Sequence, residues 1–275
     1  MTRKALLGLL GGLLLTGCGY RAPLHSSYLP EVTDTTEYEG VRAQYQQLAA
    51  LMEKETGYEP TEGNTVALIS NPAQQGSLFL EDLEYAESSV YLDLYRFYED
   101  TLGAQVKALL REKAREGADV RIIIDEGAHT SDEKDTLFSL RRDGVKLSLF
   151  HRPEWLIDRV WPAKGAHRDH RKLALLDGQT AYVGGRNRQD PDFRITGHAA
   201  AHLSAVYLEN QQRVAPHLGA VSVAKDLEEA ARMDNIPELI QFTDVVVQVV
   251  PEAPSDNRCP LRDCFEWAVG YATSR

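Results

Sequence analysis

The segment best suited to chemistry runs His170-Arg171-Lys172-Leu173-Ala174-Leu175-Leu176-Asp177-Gly178-Gln179-Thr180-Ala181-Tyr182-Val183-Gly184-Gly185-Arg186-Asn187. Asp177-Gly178 is a tight-turn dipeptide between two strand-like runs, so the segment reads as a β-hairpin. Strand side chains alternate between faces, which puts His170 and Lys172 together and sends Arg171 and Leu173 the other way. An imidazole beside an ammonium is an anion site with a nucleophile in it. With an ordinary pKa of about 6.5 the imidazole is mostly unprotonated at neutral pH. It can attack phosphorus while Lys172 and Asn187 neutralise charge on the phosphoryl oxygens. Gly184-Gly185 lets backbone approach a ligand closely and brings Asn187 round as a further donor.

The spacing His-x-Lys, four residues, Asp, six residues, Gly-Gly-x-Asn resembles the signature of the phospholipase D superfamily. Most members have Gly-Ser where Gly184-Gly185 stands here, a departure that removes one hydroxyl. Asp192-Phe193-Arg194-Ile195-Thr196-Gly197 is similar to the strand that follows the motif in that family. The resemblance implies His170, Lys172 and Asp177 as the catalytic set, with His170 as nucleophile or acid. It implies phosphate contacts from Lys172, Gly185 and Asn187, a supporting role for Asp177, and neither metal nor cofactor. By strand alternation Asp177 faces away from His170, so it is expected to hold the hairpin. In the family two such motifs meet at a pseudo-twofold axis. One His forms a phosphohistidine and the other protonates the leaving alcohol, then activates water or a second alcohol.

A hairpin needs a sheet to project from, and the flanking sequence supplies one. Strand-like runs at Val66–Ile69, Val90–Tyr95, Val120–Ile124 and Val145–Phe150 alternate with helical stretches at Leu78–Ala86, Leu102–Arg115 and Asp135–Arg142. Ser77 is the expected cap of the first of these helices and Gly117 the stop of the second. The alternation predicts an α/β fold, a layered sandwich with a mixed, largely parallel sheet flanked by helices. A helix is expected from Glu37, with Val41, Tyr45, Leu48 and Met52 on one face. His167, Arg168 and Lys164-Gly165 read as a solvated polar loop or a basic rim. Trp155, Leu156, Ile157, Val160 and Trp161 read equally as a lipid-facing lip or a buried cluster. His198 and His202, four apart, read as ordinary helix residues because no third metal ligand accompanies them.

Arg3 and Lys4 precede an apolar run, Ala5 to Leu15, that is too short to span a bilayer. It reads as a signal peptide. Its end, Leu15-Thr16-Gly17-Cys18, resembles the lipobox of bacterial lipoproteins, which implies lipidation at Cys18. Residues 1–18 are then the signal, 19–36 a tether and 37–240 the domain. The localisation expected is the cell envelope, at the periplasmic face of an outer membrane where two membranes exist. Cys259 and Cys264 read as small apolar side chains. A net charge of −11 leaves no global basic field for nucleic acid.

Leu83-Glu84-Tyr85-Ala86 and Phe265-Glu266-Trp267-Ala268 each follow an apolar strand and a Pro. Residues 241–275 thus read as the start of a second, truncated copy. With a single motif, the site is completed by a homodimer or left incomplete. The leading functional reading is a lipid-anchored phosphodiester-processing enzyme acting on phospholipids, by hydrolysis or phosphatidyl transfer as in cardiolipin synthesis. The alternatives are a one-motif homodimeric nuclease and an inactive amino-terminal fragment.

Overall fold

Runs such as Val120–Ile124, apolar at almost every position, need cover on both faces, and two helical layers provide it. The structure, a computed structural model, describes residues 46, 49–50, 52–54, 56–150, 169–184, 192–218 and 239–249. Its strands are β1 (Thr61–Ile69), β2 (Ser89–Leu94), β3 (Asp119–Asp125), β4 (Lys146–Phe150), β5 (Lys172–Leu176), β6 (Thr180–Gly184), β7 (Asp192–Thr196) and β8 (Ile240–Val247). Among the described residues they form one eight-stranded sheet in the order β4-β3-β2-β5-β6-β7-β1-β8. The helices α1 (Pro72–Tyr85), α2 (Thr101–Glu116) and α3 (Ser131–Phe138) follow β1, β2 and β3, and α4 (His198–Val214) follows β7.

Period-two alternation sorts the core into two layers. Val90, Leu92, Leu94, Ile122 and Ile124 pack with Leu83 of α1, Leu110 of α2 and Leu137 of α3. Tyr91, Ile123, Leu173 and Leu175 pack instead with Ala199, Leu203, Val206 and Tyr207 of α4. The α/β sandwich is thus as expected, and its sheet is mixed. Parallel pairing is confined to β2-β3 and β3-β4, while the five other pairings are antiparallel. The largely parallel character expected holds only at that end. Parallel neighbours need long crossovers, whereas β5, β6 and β7 follow one another through short connections that force antiparallel pairing.

Local chemistry sets the helix ends. Asn71 caps α1, accepting from the Ala73 and Gln74 amides, with Pro72 in the first turn. Ser77, the expected cap, lies inside the helix and donates to the Ala73 carbonyl at 3.1 Å. Thr130 and Glu133 form a capping box, so α3 begins four residues before the expected Asp135 and gives way to a 3-10 turn at Ser139–Asp143. The strand placed by sequence at the start of a second copy belongs to this sheet. β8 pairs antiparallel with β1, and Asn64 Nδ2 donates to the Val245 carbonyl at 3.1 Å. The proposed repeat helix near 265–268 lies outside the described residues. Of the helix expected from Glu37, the described part includes buried Ala49 and Met52.

Two features position the site. β5 sits at mid-sheet between β2 and β6, and Leu94 faces Lys172 in the β2–β5 register. The amino end of β5 therefore meets the carboxyl end of β2, at the sheet edge where open α/β sheets bind ligands.

Candidate active site

His170 lies just before β5 and Lys172 opens it, so one intervening residue leaves both on the same side. The Lys172 Nζ stands 3.1 Å from His170 Nδ1 and 3.4 Å from Nε2, and it donates to the His170 carbonyl at 2.9 Å. The pairing expected from alternation is thus present, with His170 exposed to solvent. The His170 pKa is lowered from the ordinary imidazole value, first by burial and then by the Lys172 charge, against opposing pulls from Asp169 and Asp125. The imidazole is therefore neutral at neutral pH and carries a lone pair beside a cation, as nucleophilic attack on an anion requires. Tyr95, one residue past β2, packs its ring 4.6 Å from the imidazole, tilted by 56°.

Asp169 and Arg171, the neighbours of His170, turn to the α4 face, where sequence alone assigned them no role. The Asn210 Nδ2 of α4 donates to Asp169 Oδ2 at 2.6 Å and to Asp93 Oδ2 at 2.7 Å. The Arg171 Nη1 is 3.5 Å from Asp93 and 3.7 Å from Asp169. The Asp169 amide donates to Asp125 Oδ2, and the Arg171 amide to Asp169 Oδ1, each at 3.1 Å. Burial pushes the Asp93 carboxyl up to about 7, the Asp169 charge adds to this, and Arg171 and Asn210 oppose it. Two buried carboxylates on one amide thus anchor both residues flanking His170. The signal in the sequence was an aspartate, Asp93, inside the otherwise apolar strand Val90–Leu94.

Asp177 sits at the opposite end of β5, seven residues from His170 and so on the order of 20 Å away in extended chain. Its carboxylate accepts from the Glu87, Ser88 and Ser89 amides at 2.9, 2.7 and 2.8 Å and from the Ser88 hydroxyl at 2.8 Å. It therefore ties the hairpin turn to the α1–β2 connection and stands apart from His170 and Lys172. Gly184 closes β6 beside Asp192, and a Cβ there would fall 1.8 Å from Asp192 Oδ1. That close approach is what demands glycine. Gly185 and Asn187 lie outside the described residues. So do Cys18, Cys259, Cys264, Lys164-Gly165, His167, Arg168 and the apolar stretch Trp155–Trp161. His198 contacts the Glu62 carbonyl at 3.2 Å, and His202 packs edge-on against Tyr58. Among the described residues no group of three or more His, Cys, Asp or Glu could hold a metal ion.

A family model described as cardiolipin synthase, PLD-like domain, matches residues 79–203, which span the sheet from α1 to α4 and include the whole motif. Residues 79–203 thus match a phospholipase D-like domain. The major cardiolipin synthase ClsA of Bacillus subtilis is similar to this chain at 34% identity over 130 residues, covering 47% of it and 26% of that protein. Cardiolipin synthase 1 of Bacillus cereus is 24% identical over 242 residues, covering 82% of this chain and 46% of that protein. The chain thus spans less than half the length of these relatives. Among solved structures, a phospholipase D family member, NUC from Salmonella typhimurium, aligns with a TM-score of 0.42 at 18% identity, covering 57% of this chain and 97% of that one. So loose a likeness carries no argument. The phospholipase D-like domain contains no described helix long and apolar enough to cross a membrane.

Proposed function

We propose that this protein processes phospholipid phosphodiesters by phosphatidyl transfer or hydrolysis through a phosphohistidine at His170. One observation carries the reading: an imidazole held 3.1 Å from an ammonium at the carboxyl edge of the sheet. In the proposed step a ring nitrogen of His170 bonds to phosphorus and the bond from phosphorus to the leaving alcohol breaks. The leaving oxygen takes its proton from a general acid. Lys172, with Gly185 and Asn187 in the motif's phosphate contacts, stabilises the charge gathered on the phosphoryl oxygens. Water or a second alcohol then attacks phosphorus, which regenerates the imidazole. Asp177 supports the hairpin from its far end.

The general acid is assigned to a second such motif, from a homodimer partner or from further sequence of the same protein. Cys18 is assigned as the lipidation site that would hold the protein at a membrane of the cell envelope. Similarity to cardiolipin synthases and the acidic charge balance support phospholipid over nucleic acid as substrate. The test incubates the protein with phosphatidylglycerol, cardiolipin or plasmid DNA, alongside His170→Ala. Lipid turnover that disappears in the variant is expected. Cleavage of DNA in place of lipid, or turnover that survives the substitution, refutes the reading.

A further inference from the structure

Tyr95 belongs to no part of the motif, yet its ring meets both of the motif's working groups. Besides the contact with His170, it has the Lys172 Nζ 5.8 Å from its centre, within the range of a cation–π interaction. The backbone on either side is fastened. The Tyr95 amide donates to the Arg171 carbonyl at 2.9 Å, which carries the β2–β5 pairing one residue beyond the strand. Two residues on, the Phe97 amide donates to His129 Nε2 at 2.9 Å, and His129 Nδ1 lies 2.8 Å from the Asp125 carbonyl. Since Nε2 accepts, the proton is on Nδ1 and donates to that carbonyl, so His129 is a neutral splice between this loop and the end of β3. Phe97 itself is buried in the α1/α2 layer. A loop pinned at 95 and at 97 presents the Tyr95 ring as a fixed wall.

That wall meets a specific need. His170 is exposed, and an exposed imidazole otherwise samples several rotamers. Attack on phosphorus requires one of them, with the ring nitrogen in line with the leaving oxygen. Lys172 must stay close without being captured by a competing acceptor. The face of an aromatic ring attracts a cation while offering no hydrogen-bonding atom, so an arriving phosphoryl oxygen meets no rival on that side.

We propose that Tyr95 is a positioning residue, its ring clamping His170 and Lys172 side by side in the arrangement that attack on phosphorus uses. The proposal rests on the phosphodiester reading above. The charged groups facing His170 among the described residues are Lys172 from β5, Asp169 from its own segment and Asp125 from the end of β3. None of them is altered by substitution at Tyr95.

The test uses the full chain with isotope-labelled histidine, the His170 signal identified by its loss in His170→Gln. It compares wild type with Tyr95→Phe, Tyr95→Ala and Tyr95→Leu, the last keeping apolar bulk for folding while removing the ring. In Tyr95→Ala and Tyr95→Leu the His170 titration midpoint is expected to rise towards the ordinary imidazole value. Turnover of bis(4-nitrophenyl) phosphate should fall by about tenfold or more in kcat, with KM within about threefold, as for a misplaced reacting group. Tyr95→Phe should match wild type in both readouts. An unmoved midpoint in the Ala and Leu variants overturns the clamp, whether or not the wild type turns over phosphodiesters. Full kcat in those variants of an active enzyme also overturns the clamp and leaves the phosphodiester reading standing. A wild type inactive on phosphodiesters, with a midpoint that moves, overturns that reading alone.

Discussion

Replacing Asp93 by Asn tests the buried carboxylate pair through the pH dependence of stability. Asparagine keeps the shape and an acceptor oxygen for Asn210, and it removes the titrating proton. In the folded chain Asp93 is raised from the ordinary aspartate value of 3.8 to about 7, chiefly by burial and then by the Asp169 charge. Below about pH 4 both folded and unfolded chains hold this proton, and the group sets no pH dependence. From there to pH 7 the unfolded chain releases it while the folded chain keeps it, so stability falls as pH rises. By pH 8 the contribution is gone, a loss on the order of 3–4 kcal/mol. Asp93→Asn has no such proton to lose. Its stability relative to wild type should therefore climb by about that amount between pH 4 and pH 8, because other groups cancel in the difference. Urea unfolding across this range measures it, with m unchanged to show that the unfolded state is comparable. A difference that stays constant over the whole range would mean that the fold does not hold Asp93 protonated, and the reasoning about the anchor beneath His170 would fail.

Asp177→Ala should destabilise the chain by about 2–3 kcal/mol in urea unfolding, because four donors lose an acceptor and the Ser89 amide is covered. Asp177→Asn, which keeps one acceptor oxygen, should lose less, and both should leave kcat intact once folded. Gly184→Ala should cost about 1–3 kcal/mol, since the added Cβ meets not only the Asp192 carboxylate but also its Cα at 2.8 Å, which no rotamer change relieves. The acid limb of the kcat/KM–pH profile, which reports the free enzyme, should have its midpoint below about 6.5, because burial and the Lys172 charge lower the His170 pKa and keep the imidazole deprotonated further into acid. A midpoint above that value would contradict the neutral imidazole.

The parts legible in the sequence were those governed by local rules. Strand alternation placed His170 beside Lys172 and sent Arg171 away, and the Asp-Gly turn set the hairpin. The carboxylate grip of Asp177 on the α1–β2 connection could be foreseen only as a structural role, since Glu87 to Ser89 lie about ninety residues earlier. Asn210 was illegible for a related reason. It stands on α4, forty residues after His170, and nothing in helical periodicity says which polar residue will reach across to a strand. Tyr95 read as the last residue of a strand, and only the pairing of β2 with β5 brings its ring over the imidazole. Beyond the hairpin itself, the extent of antiparallel pairing was not legible, because non-local pairings override a pattern of alternating strands and helices.

The strand order also carries a consequence for how the chain is assembled. β1 and β2 are consecutive in sequence but stand three strands apart, with β5, β6 and β7 filling the space between them. Until residue 176 has been synthesised β2 has only β3, and until residue 196 β1 has neither of its two partners, so both leave raw hydrogen-bonding edges in the nascent chain. The hairpin that bears His170 is thus a keystone: the strand pairing that joins the two halves of the sheet also seats His170 beside Lys172. A polypeptide stalled before that hairpin would lack the His170–Lys172 pair and would carry adhesive borders free to pair with something else.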